Sequence, residues 1–156
     1  MELKTGSAVS TLDDKGRVNI PVRFREQYQG ELAMTWGIDR CIYIMTPSAW
    51  ENFEKWLRKR KKLIVPRKWR VLENKYLNQA MEVEIDKVGR IAIPPTFRTY
   101  ASLTKDCMVI NNAEGCLSVW DYDTFNAYLA ENNEVSQEPF DELGSQDIFS
   151  AEQDEE

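Results

Sequence analysis

The sequence predicts a small, β-rich α+β fold with pseudo-twofold symmetry, and three observations support this prediction. The chain has 156 residues, of which 42% are hydrophobic, and this is enough for one core. The stretch LDDKGRVNIP at 12–21 returns as IDKVGRIAIP at 85–94. Both copies alternate apolar and polar residues after the glycine and stop at a proline, which is typical of a strand that leads into a helix. We therefore expect two copies of one unit.

The repeat covers thirteen positions closely and continues more loosely beyond them. At an offset of 73, seven of the thirteen positions from 13 to 25 are identical in the second copy. They are Asp13, Gly16, Arg17, Ile20, Pro21, Phe24 and Arg25, which return as Asp86, Gly89, Arg90, Ile93, Pro94, Phe97 and Arg98. Such self-similarity marks a structural repeat. Because a unit of about 50 residues buries too little surface to be stable alone, we expect both copies to share a core.

Each copy predicts the same elements in the same order. A short strand ends at Leu12 or at Ile85, and a tight turn follows. In the turn, aspartate accepts hydrogen bonds from amides ahead of it, and glycine supplies the positive φ that a tight hairpin needs. A second, alternating strand leads to a short helix that begins near the proline. Two further strands are predicted in each copy, at 31–36 and 41–45 and at 107–111 and 116–120.

Each copy is also predicted to close with a helix. Thr46 is the expected N-cap of the first helix and Pro47 its first residue. Its apolar face is predicted to comprise Trp50, Phe53, Trp56 and Leu57. In the second helix Asp123 is the expected cap, and the residues expected to face the core are Phe125, Tyr128 and Leu129. A bridging helix is predicted at 66–80 from a stripe formed by Trp69, Leu72 and Tyr76.

The charges divide the chain into a mildly basic body and an acidic tail. Of the 26 acidic residues, ten lie in 131–156, where lysine and arginine are absent. Residues 1–130 therefore have a balance of +4, although the whole chain has a formal net charge of -6. Such an acidic segment is typical of disorder. We divide the chain into a first unit at 7–53, a helical connector at 54–80, a second unit at 81–130 and a disordered tail at 131–156.

The residue inventory argues against an enzyme. The sequence has no histidine, which excludes a histidine-based triad or zinc site. It also contains no phosphate-binding loop, dinucleotide fingerprint or cluster of metal ligands. Cys41, Cys107 and Cys116 have no C-x-x-C spacing and are interpreted as reduced, buried thiols, with Cys41 and Cys116 in the core. We expect no cofactor, metal or small-molecule substrate. Since the sequence shows neither a signal peptide nor a membrane span, we expect a cytoplasmic protein.

The duplicated turn carries a family resemblance. The motif D-x-x-x-R, followed by alternating apolar residues and I-P-x-x-F-R, resembles the swapped-hairpin unit of AbrB/SpoVT-type proteins. Two such units in one chain, each with G-R-x-x-I-P, resemble the MraZ family over residues 8–130. The resemblance implies a double swapped-hairpin barrel with peripheral helices. It also implies a bacterial transcriptional regulator of the division and cell-wall gene cluster, which binds promoter direct repeats as a ring oligomer with its basic turns facing the DNA.

The site residues are predicted from this motif and from side-chain chemistry. Arginine can bind guanine with two hydrogen bonds, and lysine pairs with phosphate as a point charge. The residues predicted to bind DNA are Lys15, Arg17, Lys87 and Arg90. Those predicted to form the turns and orient the arginines are Asp13, Gly16, Asp86 and Gly89. Those predicted to make secondary phosphate or subunit contacts are Arg23, Arg25 and Arg98.

Several alternatives remain open at this point. The two turn arginines can instead pair only with their aspartates. The basic run at 58–62 is either a solvated helix end or a secondary phosphate contact. The predicted partners are double-stranded promoter DNA and further copies of the chain, with a cytoplasmic, nucleoid-associated location and no membrane. The alternative function is a protein-interaction module, antitoxin-like or a scaffold, whose acidic tail binds the partner.

Overall fold

The computed structural model describes residues 3–135 and 138–143, and each copy of the repeat contributes four strands to this part of the chain. The strands of the first copy are β1 (Gly6–Thr11), β2 (Arg17–Asn19), β3 (Leu32–Trp36) and β4 (Ile42–Met45). The strands of the second copy are β5 (Met81–Val83), β6 (Arg90–Ala92), β7 (Asp106–Asn111) and β8 (Cys116–Asp121). All eight lie where the alternation and the turn residues predicted strands.

Six α-helices connect and cover these strands in the described residues. They are α1 (Val22–Arg25), α2 (Pro47–Lys59), α3 (Pro66–Leu72), α4 (Pro95–Tyr100), α5 (Tyr122–Glu131) and α6 (Glu138–Leu143). A 3-10 turn, Glu26–Tyr28, extends α1, and a π-helical turn, Glu73–Leu77, extends α3. In the described residues, no helix combines the length and apolarity needed to cross a bilayer.

The two copies exchange strands. The main sheet is antiparallel, with the order β1-β7-β8-β4-β3-β5, and β2 and β6 form a separate two-stranded sheet. Ala8 of β1 pairs with Val109 of β7, and Glu82 of β5 pairs with Ala33 of β3, so each copy adds its first strand to the other copy's third. The order of strands is unchanged when the copies are interchanged. The predicted α+β class is therefore confirmed, and the topology has the expected twofold pattern.

The closed barrel implied by the resemblance is not found in the part of the chain that the structure describes. The main sheet has two edges, β1 and β5. A single bridge, Leu12 to Val18, links the end of β1 to the small sheet. β2 and β6 have only three residues each and pair with one another, and this single bridge to β2 is too little to close the larger sheet into a barrel.

One core joins the small sheet, the short helices and one face of the large sheet. The middle residues of β2 and β6, Val18 and Ile91, are fully buried, and Phe24 of α1 and Phe97 of α4 are 3% exposed beside them. The large sheet contributes alternating residues, including Ile42, Ile44, Leu117 and Val119. Since both copies supply side chains to this single cluster, neither has a separate core.

The helix caps confirm one prediction and correct another. The Thr46 hydroxyl accepts a hydrogen bond from Ala49 N at 3.2 Å, so the predicted cap of α2 is confirmed. In α5 the cap is Asp121 rather than Asp123: its Oδ2 accepts from Thr124 N at 3.1 Å. The prediction failed because β8 and α5 adjoin directly, and the Asp121 Oδ1 also accepts from the Thr104 hydroxyl at 2.7 Å. This distant contact fixes which of two local candidates caps the helix.

The apolar faces of the two long helices are less buried than predicted. Helix α2 has no fully buried residue, and Trp56 is 55% exposed. In α5, Tyr128 is 38% and Leu129 is 50% exposed. Helix α2 lies against β3 and β4, and α5 lies against β7 and β8. At least part of the α5 contact involves a side chain outside the core cluster. The Trp120 ring, for example, packs on Tyr128 at 5.1 Å between centroids.

The predicted bridging helix is confirmed as α3 and its π-helical extension. Trp69 and Leu77 are buried, and the Thr35 hydroxyl of β3 donates to the Tyr76 carbonyl at 2.6 Å. The predicted division between 53 and 54 falls within α2. In the predicted acidic tail, α6 is a described helix whose side chains are all exposed, whereas 136–137 and 144–156 lie outside the described residues.

The three cysteines are free thiols. Cys41 and Cys107 are buried, as predicted, whereas Cys116 is only partly buried. Cys107 belongs to the core cluster and the other two lie outside it, so the prediction that Cys116 lies in the core is wrong. Burial raises the pKa of Cys41 and of Cys116 to about 12 and that of Cys107 to about 11. At neutral pH these groups are therefore protonated and weakly nucleophilic.

Candidate nucleic-acid interface

The first turn is organised by a single carboxylate. Asp13 Oδ1 accepts hydrogen bonds from Lys15 N and Arg17 N, each at 2.9 Å, and Oδ2 accepts from Arg17 Nε at 2.7 Å. Asp13 N donates to Arg17 O at 2.9 Å and closes the turn. Gly16 has a φ of 79°, in the region that favours glycine. The sequence D-D-K-G-R therefore forms this turn from local interactions.

The second turn repeats this geometry. Asp86 Oδ1 accepts from Val88 N at 2.9 Å and from Arg90 N at 2.8 Å, and Oδ2 accepts from Arg90 Nε at 2.9 Å. Gly89 has a φ of 99°. Both aspartates therefore accept hydrogen bonds from two turn amides and from the arginine side chain four positions ahead. They fix the Nε side of each guanidinium against a carboxylate.

The hydrogen bonds of the turns keep both carboxylates charged. The pKa of Asp13 is lowered from 3.8, first by the hydrogen bond from the Arg17 backbone amide and then by the Arg17 side chain. The pKa of Asp86 is lowered in the same way by Arg90. Each ion pair is partly exposed, with 28% of the arginine side chain accessible in both turns. The arginines are therefore held in place yet reachable from solvent.

Backbone hydrogen bonds join each turn to the strand end of the other copy. Ile20 N donates to Gly89 O, and Ile93 N donates to Gly16 O, both at 2.8 Å. The Arg90 guanidinium is also 4.0 Å from Asp13 Oδ2, so one ion pair spans the two turns. The two copies of the motif consequently form one surface feature, which we call the paired turns, residues 13–17 and 86–90.

Arg25 and Arg98 pack beneath the turns of the opposite copy. Arg25 Nε donates to Ile20 O, and Arg98 Nη1 donates to Ile93 O, both at 2.7 Å. A methyl group placed on Gly89 would lie 2.2 Å from Arg25 Cζ, and one placed on Gly16 would lie 1.7 Å from Arg98 Nη1. Each guanidinium therefore occupies the space beside a turn glycine that any other residue would need.

Arg23 differs from Arg25 and Arg98. It lies on α1, its Nη2 donates to the Ser7 carbonyl at 2.9 Å, and its guanidinium covers the Phe24 ring at 4.7 Å from the centroid. The predicted secondary contacts of these three arginines with phosphate or with another subunit stay predictions. What the structure adds is an intrachain partner for each of them, which the sequence did not indicate.

The exposed charges of the two turns differ. Lys15 and Val88 occupy equivalent positions, since each amide donates to its aspartate Oδ1. Lys87 corresponds in the same register to Asp14. Lys15 and Lys87, both exposed, therefore lie at different places in their turns. Val88, which is 58% exposed at the tip of the second turn, is a residue that the charge-based prediction missed.

These features define a class: a duplicated α+β protein with exchanged strands that displays two interlocked Asp-Gly-Arg turns. A family model described as "MraZ protein, putative antitoxin-like" matches residues 5–71 and 76–145. The Transcriptional regulator MraZ of Frankia alni is 35% identical over 141 residues, which cover 90% of this chain and 94% of the relative. That of Treponema denticola is 33% identical over 141 residues, which cover 90% and 96%. This chain belongs to the MraZ family.

Proposed function

We propose that this protein is a sequence-specific DNA-binding transcriptional regulator that contacts the duplex through the paired turns. The observation that carries the proposal is the cross-copy hydrogen bonding, Ile20 N to Gly89 O and Ile93 N to Gly16 O, which holds the two arginine-bearing turns at a fixed separation. The relatives named as transcriptional regulators support the same conclusion.

Arg17 and Arg90 take the role of reading bases. Their Nε groups are held by carboxylates, which leaves the Nη groups to meet the O6 and N7 acceptors of guanine in the major groove. Arg90 then exchanges the 4.0 Å ion-pair contact of its Nη1 with Asp13 for the contact with guanine. A guanidinium that is already oriented loses less conformational freedom on binding than a mobile one. Lys15 and Lys87, which are exposed, pair with phosphates as point charges.

The larger assembly is part of the proposal. One pair of turns contacts few base pairs, so several copies that bind neighbouring direct repeats gain affinity through effective concentration. Identical head-to-tail contacts that close produce a ring. In this proposal the ring represses promoters of the division and cell-wall gene cluster and is cytoplasmic and nucleoid-associated. The exchanged strands support a swapped-hairpin origin of each unit, with units at 7–53 and 81–130 joined by the connector at 54–80.

The test is a salt-dependent titration of two duplexes, one with the promoter's direct repeats and one with the same bases scrambled. Arg17→Ala and Arg90→Ala are each expected to lower affinity for the repeat duplex about tenfold or more, since a bidentate contact contributes about 1–3 kcal/mol. Lys15→Ala and Lys87→Ala are expected to weaken binding to both duplexes and to reduce the slope of log affinity against log salt by about 0.9 each.

Lys55→Ala is the matched control, because Lys55 is exposed on α2 and pairs with Glu51 at 3.1 Å. It is expected to leave both titrations unchanged. Repeat-duplex affinity that survives in the Arg17→Ala/Arg90→Ala double variant rules out base reading by the turns. If the chain instead retains a protein partner at high salt and binds neither duplex, the interaction-module alternative replaces this proposal, in line with the words "antitoxin-like" in the family description.

A further inference from the structure

The strongest concentration of positive charge lies away from the paired turns. From 58 to 70 the chain has eight basic residues and no acidic residue. They are Arg58, Lys59, Arg60, Lys61, Lys62, Arg67, Lys68 and Arg70, and all eight are exposed. We call this the basic surface, residues 58–70. Outside it, residues 1–130 hold 12 basic and 16 acidic residues, so the basic surface accounts for the positive balance of the body.

The paired turns contribute little net charge by comparison. Residues 13–17 hold two acidic and two basic residues, and residues 86–90 hold one acidic and two basic residues. Long-range attraction of a polyanion therefore arises mainly at the basic surface. A surface of this kind attracts any flexible acidic chain as well as nucleic acid.

The basic surface also exposes apolar groups. Leu63 is 77% and Val65 is 57% exposed, between the two cationic runs. The Arg60 guanidinium lies 4.2 Å from the centroid of the Trp56 ring, which is itself 55% exposed. A partner that matches this surface thus combines carboxylates with a few apolar side chains.

The C-terminal segment of the same chain has this chemistry. Residues 144–156 contain five acidic residues, no basic residue, and the apolar pair Ile148 and Phe149. In all of 131–156 there are ten acidic residues and no basic one. The segment is opposite in charge to the basic surface. Like that surface, it carries apolar side chains among its charged residues.

The fold brings the start of the tail near the start of the basic surface. Tyr128 and Glu131, in the last turn of α5, share one groove with Ile38 and Asp39. Ile38 and Asp39 also line a groove with Trp56, which precedes the basic surface by a half-turn of helix. Thirteen residues beyond Leu143 extend up to about 45 Å, which exceeds the radius of gyration of about 15 Å for a compact chain of this length.

We propose that residues 144–156 bind the basic surface of their own chain and compete there with nucleic-acid phosphate. Exposed ion pairs are individually weak. A tethered segment, however, is present at an effective concentration of about 1 mM, so a contact with a dissociation constant of about 0.1 mM is occupied about ten times out of eleven. The contact itself is independent of the proposed function, whereas the competition with DNA rests on it.

The contact is tested by zero-length carbodiimide cross-linking of the full chain, followed by mass spectrometry. At 50 mM salt, cross-links are expected between 144–156 and the lysines of the basic surface, mainly Lys61 and Lys62. At 1 M salt, where the Debye length is about 3 Å, they are expected to disappear. Lys61→Gln/Lys62→Gln is expected to remove most of them and to leave those at Lys59 and Lys68, whereas the matched control Lys4→Gln, at another exposed lysine, retains them all.

A second variant controls for the fact that glutamine cannot be cross-linked by carbodiimide even when the contact persists. It exchanges the charges of the two partners. Lys61→Glu/Lys62→Glu combined with Glu155→Lys/Glu156→Lys is expected to restore the cross-links with their polarity reversed. Cross-links to Lys15 or Lys87 in place of the basic surface overturn the proposal. So do cross-links found only in dimers at high dilution, because the tail of a second copy is then the occupant.

The competition between the tail and DNA is tested separately, by measuring the affinity of the protein for the scrambled duplex. Deletion of 144–156 is expected to raise affinity for that duplex about tenfold at 50 mM salt, as follows from the occupancy above, and to have no effect at 1 M. Unchanged affinity overturns the competition. Binding of the full chain to vesicles of anionic lipid, with no cross-links to the tail, assigns the surface to a bilayer and overturns the contact. If the turn variants fail to affect DNA, the cross-linking result is untouched.

Discussion

At the scale of single residues, Gly16 and Gly89 combine two demands that usually occur apart. Each has a positive φ, which any residue with a Cβ adopts at a cost of about 1–2 kcal/mol. Each also faces the guanidinium of an arginine from the other copy, at distances that leave no room for a methyl group. The glycines therefore serve the turn and the junction between the copies together.

This double demand predicts that Gly16→Ala destabilises the protein more than Gly30→Ala. Gly30 is a matched control, because its φ is also 79° but nothing lies within 4 Å of the position of a Cβ. We expect a loss of about 1–2 kcal/mol at Gly30 and about 2–4 kcal/mol at Gly16 in denaturant unfolding. In an Arg98→Ala background the two losses should become equal, and equal losses in the wild-type background would contradict the prediction.

The residue-scale predictions from sequence succeeded where the interaction is local. Asp13 and Asp86 bond to amides two and four positions ahead, and Thr46 caps the amide three positions ahead, so spacing and side-chain type suffice. The predicted cap of α5 was wrong because Asp121 and Asp123 are both aspartates near the start of the helix and both suit an N-cap. The choice between them depends on Thr104, seventeen positions before Asp121, which no local pattern indicates.

At the scale of elements, α1 and α4 act on turns that belong to the other copy. The side chain of Arg25, on α1, packs against Gly89, and the side chain of Arg98, on α4, packs against Gly16. The repeat in the sequence shows that Arg25 and Arg98 occupy equivalent positions. It does not show that each contacts the turn of the other copy. The interpretation as phosphate or subunit contacts came from charge alone.

A salt titration distinguishes the two roles of these arginines. If Arg25 and Arg98 position the turns, Arg25→Ala and Arg98→Ala lower affinity for the repeat duplex and leave the salt slope unchanged, because no phosphate contact is lost. If they bind phosphate, each variant reduces the slope by about 0.9, as expected for Lys15→Ala. We expect the first result, with a fall in affinity of about tenfold, and a reduced slope would contradict it.

At the scale of the whole molecule, the exchange of strands makes the two copies interdependent. β1 and β5 both pair outside their own copy, and so do β2 with β6 and β4 with β8. Strand positions were predictable from alternation and turn residues, whereas these partners were not, since pairing between distant strands leaves no trace in local sequence. For the same reason the sequence did not reveal an open sheet in place of a barrel.

The exchange predicts that neither half folds as a monomer. Residues 1–80 and 81–156, produced separately, are each expected to lack cooperative unfolding as monomers, because each half loses the partners of all four of its strand pairings with the other copy. An equimolar mixture is expected to regain the circular dichroism of the intact chain as a one-to-one complex. A half that sediments as a monomer and unfolds cooperatively would refute this.

The unequal tips of the turns have a geometric consequence. Lys15 corresponds to Val88 and Lys87 to Asp14, so the twofold relation that governs the backbone is broken in the side chains that face outward. An assembly of two separate, identical subunits looks the same to a rod-like ligand approached from either end. Here one end of the paired turns differs chemically from the other, so the surface has a direction. If the paired turns bind DNA as proposed, such a directional surface suits direct repeats better than inverted repeats.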